Sequence, residues 1–120
     1  MSQVAWRAPT PAESHLVTSW LSAWNIATGD NAALGLDALA RRSCRCGTCP
    51  SFTITPLLLT TESTVGGPLP IEGHGSRPRG GVAAGLLAWT IEDGIDFEIY
   101  PLDDEVLVLD DLTFRFVATA

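Results

Sequence analysis

Three cysteines stand within six residues, in the run Cys44–Arg45–Cys46–Gly47–Thr48–Cys49, and this is the grouping best placed to do chemistry. In an extended segment Cys44 and Cys46 project to one face, because side chains alternate along a strand. A turn at Gly47–Thr48 brings Cys49 back toward them. Three sulfurs so arranged suit a soft metal, zinc or cuprous copper. Structural zinc takes four ligands, and the fourth candidate is His74, carried on a Gly/Pro-rich segment that can reach back; His15 is the other histidine. Cys46–Gly47–Thr48–Cys49 also reads as a dithiol pair, and Arg41, Arg42 and Arg45 crowd it with charge that lowers a thiol pKa. Redox sites of the thioredoxin kind open a helix, however, whereas Pro50 and a strand pattern follow here. The plainest alternative makes the cysteines small, semi-apolar residues buried at a strand–turn–strand corner. On that alternative the chain carries no cofactor.

The other chemically capable residues are carboxylates. Nine of the 14 acids lie between Glu92 and Asp111. Asp96 and Glu98 share one strand face, which suits either acid–base work or the solvated side of a half-exposed sheet. The pairs Asp103–Asp104 and Asp110–Asp111 fall where turns are expected, and Asp favours turns through local backbone hydrogen bonds. Gly80–Gly81–Val82–Ala83–Ala84–Gly85 has the wrong spacing for a nucleotide loop, and the chain has no lysine to reach a phosphate. No Ser/His/Asp set is legible, so the sequence leans away from an enzyme.

The elements that must position these residues begin with a strong signal. Thr10–Pro11–Ala12–Glu13 is a capping box with proline at the first helical position. Leu16, Val17, Trp20, Leu21 and Trp24 follow at helical spacing, and Gly29–Asp30 ends the helix. Leu34, Leu36 and Leu39 predict a second, shorter helix over 31–40. Phe52 and Ile54 then alternate with polar residues as a half-buried strand does. Segment 63–81 has nine Gly or Pro among 19 residues and is expected to be a long loop carrying His74. Val82 to Ile91 reads as a central strand, Asp93–Gly94 as a hairpin, and Ile95, Phe97 and Ile99 as the inward side of the next strand. Strands over Val106–Leu109 and 112–116 complete a C-terminal meander. The expected architecture is α+β, with one or two N-terminal helices on one face of an antiparallel sheet of about four to five strands.

The block Cys44–Arg45–Cys46–Gly47–Thr48–Cys49–Pro50–Ser51–Phe52, with Gly85–Leu86–Leu87 and Gly94–Ile95–Asp96–Phe97–Glu98–Ile99–Tyr100, resembles a set of small bacterial proteins. Those proteins have helices first, a C-x-C-G-C-P-S core and a closing acidic strand of the type dG-x-x-E-x-E-x-Y. The resemblance runs over roughly residues 12 to 110. This chain departs by placing Thr48 between Gly47 and Cys49, and by Asp96–Phe97–Glu98 in place of a leucine-flanked acidic pair. The resemblance implies the α+β fold and brings no activity with it.

Composition bounds the functional classes. The 120 residues make a single domain, 1–120, with an N-terminal arm at 1–9. Net charge is −7, with seven arginines and no lysine, so the chain lacks the clustered basic charge that nucleic-acid binding requires. Its longest apolar run, Val82 to Trp89, is far shorter than a membrane span. Met1–Ser2–Gln3–Val4 lacks the basic and apolar stretches of a secretion signal. The expected setting is therefore cytoplasmic. Negative charge and the missing catalytic set point to a small interaction or accessory protein with a protein partner or a homodimer. The alternative is a metal or thiol protein built on Cys44, Cys46 and Cys49.

Overall fold

The computed structural model describes residues 5–43, 49–60 and 68–119. The capping box forms as the sequence dictates. Thr10 accepts from Glu13 N through its hydroxyl, the Glu13 carboxylate accepts from Thr10 N in return, and helix α1 runs over Pro11–Thr28. Gly29, in the left-handed region at φ 76°, closes it by donating to Asn25 O. The expected stripe of Leu16, Val17, Trp20, Leu21 and Trp24 is buried. Trp20 and Trp24 stack at 5.6 Å, and Trp20 meets Phe97 edge-on.

Six antiparallel strands follow: β1 (Leu39–Arg42), β2 (Phe52–Thr55), β3 (Ile71–Ser76), β4 (Val82–Ile91), β5 (Gly94–Pro101) and β6 (Thr113–Ala118). They lie side by side in the order β1-β2-β5-β4-β3-β6. The protein is thus an α+β fold, one helix on a six-stranded sheet. Phe52, Ile54, Leu86, Ala88, Ile95, Phe97 and Ile99 face the helix layer and are fully buried. α1 lies over β3 and β6, and Leu34, Leu57, Leu59 and Leu107 from irregular segments complete the layer.

Four sequence expectations are corrected. No second helix forms over 31–40: residues 31–38 are irregular and Leu39 opens β1. Leu34 packs on the core while Leu36 stands fully exposed, so the three leucines never make one buried stripe. The segment 63–81 is not loop throughout, because β3 lies inside it. Two of the three inward positions of β3 are Gly73 and Gly75, so no apolar alternation announces the strand. Its inward face is filled by its neighbour: Gly73 pairs with Phe116 and Gly75 with Phe114, and the two rings stack at 6.1 Å against the glycines.

Val106–Leu109 forms no strand. β5 is already paired on both sides, by β2 and β4, and this segment instead crosses the sheet end, burying Leu107 and turning through a 3-10 element at Leu109–Asp111. The expected terminal meander is therefore β3–β4–β5, and β6 crosses to the far side of β3. The expected hairpin is present. Ile91 pairs with Gly94 around a Glu92–Asp93 turn, and Gly94 is required by close packing against Ile54 O.

Candidate functional site

Of the proposed cysteine site, Cys44 and Cys46 lie outside the described residues. Cys49 is buried just before β2, where Arg42 donates to its carbonyl at 3.0 Å and Ser51 Oγ lies 3.7 Å from its sulfur. It borders a hollow of about 280 Å³ shared with Arg7, Glu13, Arg42, Leu107 and Asp110. His74 sits elsewhere. It is on β3, with two strands, β5 and β4, between it and β2, and its side chain is on the exposed face of the sheet. The structure therefore does not bring His74 to Cys49. Among the described residues no three His, Cys, Asp or Glu side chains form a metal-holding group.

The Cys49–Pro50–Ser51 run does have a legible role. The Ser51 hydroxyl accepts from Ile99 N at 2.8 Å and donates to Ile99 O at 3.1 Å, both buried. It stands in for a strand partner just beyond the β2–β5 pairing, which starts at Phe52 and Phe97. The neighbouring arm is anchored in a similar way. Arg7 forks onto Glu13 at 2.6 and 2.9 Å, while its backbone pairs with Ala40. Burial alone would push the Glu13 carboxyl up, but Arg7 and the Thr10 amide together hold it below its ordinary value.

The surface with the strongest claim to function is the face of the sheet opposite α1. Among the described residues no helix packs on it. Its side chains follow from strand alternation: Arg41, Thr53, Asp96 and Trp89 make one row across β1, β2, β5 and β4. Arg115, His74, Gly85 and Tyr100 make another across β6, β3, β4 and β5. Leu87, Glu98, Glu72 and Val117 lie between them. The sequence placed Asp96 and Glu98 together on this face correctly, and the same alternation adds Tyr100. It did not show Trp89, His74 and Arg115 joining them, because they come from strands whose order the sequence does not reveal.

Local contacts arrange this face. Asp96 accepts from the Thr53 hydroxyl at 3.0 Å, and Glu98 accepts from Trp89 Nε1 at 3.2 Å. Arg41 lies 4.3 Å over the Trp6 ring, so Trp6 stacks at the border of this face. The Tyr100 ring lies flat across Gly85, in space that any Cβ would fill. At one end of the sheet Arg77 pairs with Asp103 and reaches Glu105 at 3.7 Å, and Arg77 holds Asp103 below the usual carboxylate range. No described helix is long and apolar enough to cross a membrane. Comparison with protein-family models, with curated proteins and with solved structures finds no match for this chain.

Proposed function

We propose that the chain is a small, non-enzymatic docking protein that meets a basic protein partner through the uncovered face of its sheet. The observation that carries this is one-sided covering: a six-stranded sheet has one face under α1 and the other bare among the described residues. That bare face presents Trp89, Leu87 and Tyr100 among Glu72, Asp96 and Glu98. Aromatic anchors inside a polar field are the usual makeup of protein interfaces. The net charge of −7 favours a basic partner and speeds its approach. The two carboxylates considered for acid–base chemistry, Asp96 and Glu98, bond instead to Thr53 and to the Trp89 indole.

The test is affinity capture of partners from the native cell with three forms of the full chain. Wild type and an α1 surface variant, Ser22→Arg, should enrich the same basic protein. The face variant Trp89→Ala with Glu98→Arg should lose it while keeping its fold. Equal enrichment by all three forms would remove the uncovered face from consideration.

A further inference from the structure

The two edges of the sheet are treated differently. At β1 the N-terminal arm covers the outward backbone: Arg7 N donates to Ala40 O at 2.9 Å, and Ala40 N donates to Arg7 O at 2.6 Å. At β6 no described residue does the same. The phase of this free edge follows from one bond, Thr119 N to Pro70 O at 2.8 Å, which continues the β3–β6 ladder. In an antiparallel pair the hydrogen-bonded positions recur every second residue. Thr113, Arg115 and Val117 therefore turn their N–H and C=O groups toward β3. Phe114, Phe116 and Ala118 turn theirs away from the sheet. An edge with no lysine, no proline and a Phe-Arg-Phe-Val run is one that natural proteins normally guard. Beside it, Leu16, Ser19, His15, Phe114 and Phe116 border a hollow of about 370 Å³ between α1 and β6.

We propose that this edge pairs with β6 of a second copy of the chain, antiparallel about a two-fold axis normal to the sheet. Outward groups must meet outward groups, so the axis falls on a residue; at Thr113, Val117 or Ala118 an outward phenylalanine lies opposite a position outside the strand, and Phe114, Arg115 and Phe116 remain to be weighed. An axis at Arg115 sets two guanidinium groups directly opposite each other, which repels. An axis at Phe114 sets Phe116 against Leu112, which precedes the strand. An axis at Phe116 uses the outward groups of all three residues. It sets Phe116 against Phe116, Phe114 against Ala118, and Arg115 against Val117 of the second copy. Glu72 is the cross-strand neighbour of Val117, so each Arg115 points toward Glu72 of the second copy. The match of backbone phase and of charge selects this register. It also puts both α1 helices on the same side of the joined sheet, closing the hollow between them. Arg115 and Glu72 also border the bare face, but self-pairing is read in the purified chain with no partner present, so its failure leaves the docking reading untouched.

Sedimentation equilibrium of the full chain tests it. The expected mass is twice 12.8 kDa at ~100 µM, an ordinary range for a modest self-association. Ala118→Pro removes one outward N–H per copy at an exposed position. It should weaken the dimer by roughly ten- to a hundredfold, two lost hydrogen bonds at roughly a factor of three to ten each, with tryptophan emission unchanged. Arg115→Glu should weaken it as well, and adding Glu72→Arg should restore it. The charge pair decides the matter even if the proline variant folds poorly. A wild-type monomer at that concentration, or a dimer indifferent to Arg115→Glu, would overturn the proposal.

Discussion

Ser51 shows how one hydroxyl can carry a strand end. Ile99 N and Ile99 O are both buried and both bonded to it. Ser51→Ala leaves a donor and an acceptor stranded in the core, so it should cost about 1–3 kcal/mol in urea unfolding. Cys49→Ala, two residues earlier, removes a small buried group and should cost less. The carboxylates give a second residue-scale prediction. Glu13 is held low as described, and Asp30 is held well below its ordinary value by the Thr60 hydroxyl and then by the Trp24 indole. Both titrate lower folded than unfolded, so their stabilisation is complete above the unfolded values of 4.5 and 3.8 and is lost as pH falls through the folded ones. The urea midpoint, read by tryptophan emission, should stay level from neutral pH down to about 5 and fall below about 4. Glu13→Gln should lower stability at pH 7 by about 1–2 kcal/mol, because Arg7 is partly in water, and its difference from wild type should vanish in acid. A difference that persists at low pH would show that packing, and not charge, is what the substitution changes.

At the scale of elements, α1 was legible because its signal is local: cap, proline, apolar stripe and terminal glycine all lie within 20 residues of chain. The β4–β5 hairpin was legible for the same reason. β3 was not, since its inward face is made by Phe114 and Phe116, about 40 residues further along the sequence. The position of β6 beyond β3 was equally hidden, because nothing in the residues between Leu102 and Leu112 states which edge the next strand will join. Such an arrangement predicts that glycines here are steric requirements. A Cβ at Gly75 would lie 2.9 Å from the Phe114 ring, and one at Gly73 would lie 3.0 Å from both Leu86 and Phe116. Gly75→Ala should displace Phe114 and cost about 1–3 kcal/mol. Gly85→Ala should instead lift Tyr100 from the bare face, changing the tyrosine ring shifts in NMR while leaving the Trp20–Trp24 stack intact. If both substitutions were neutral, the rings would not be lying where the glycines place them.

For the whole molecule, the docking proposal rests on the difference between the covered and uncovered faces of the sheet. Composition alone made an interaction protein the natural expectation, but it could not choose a surface, because the surface depends on strand order. Of the cysteine cluster the structure describes only Cys49 and places His74 on the other side of the sheet, whereas the acidic strand face lies where alternation put it. The docking account is tested most directly by photo-crosslinking in the native cell, with a photoreactive residue at Leu87 on the bare face and, separately, at Ser22 on the exposed side of α1. The account predicts adducts to a basic protein from Leu87, reduced by high salt, and none of comparable yield from Ser22. Equal adducts from the two positions, or adducts from Ser22 alone, would contradict it.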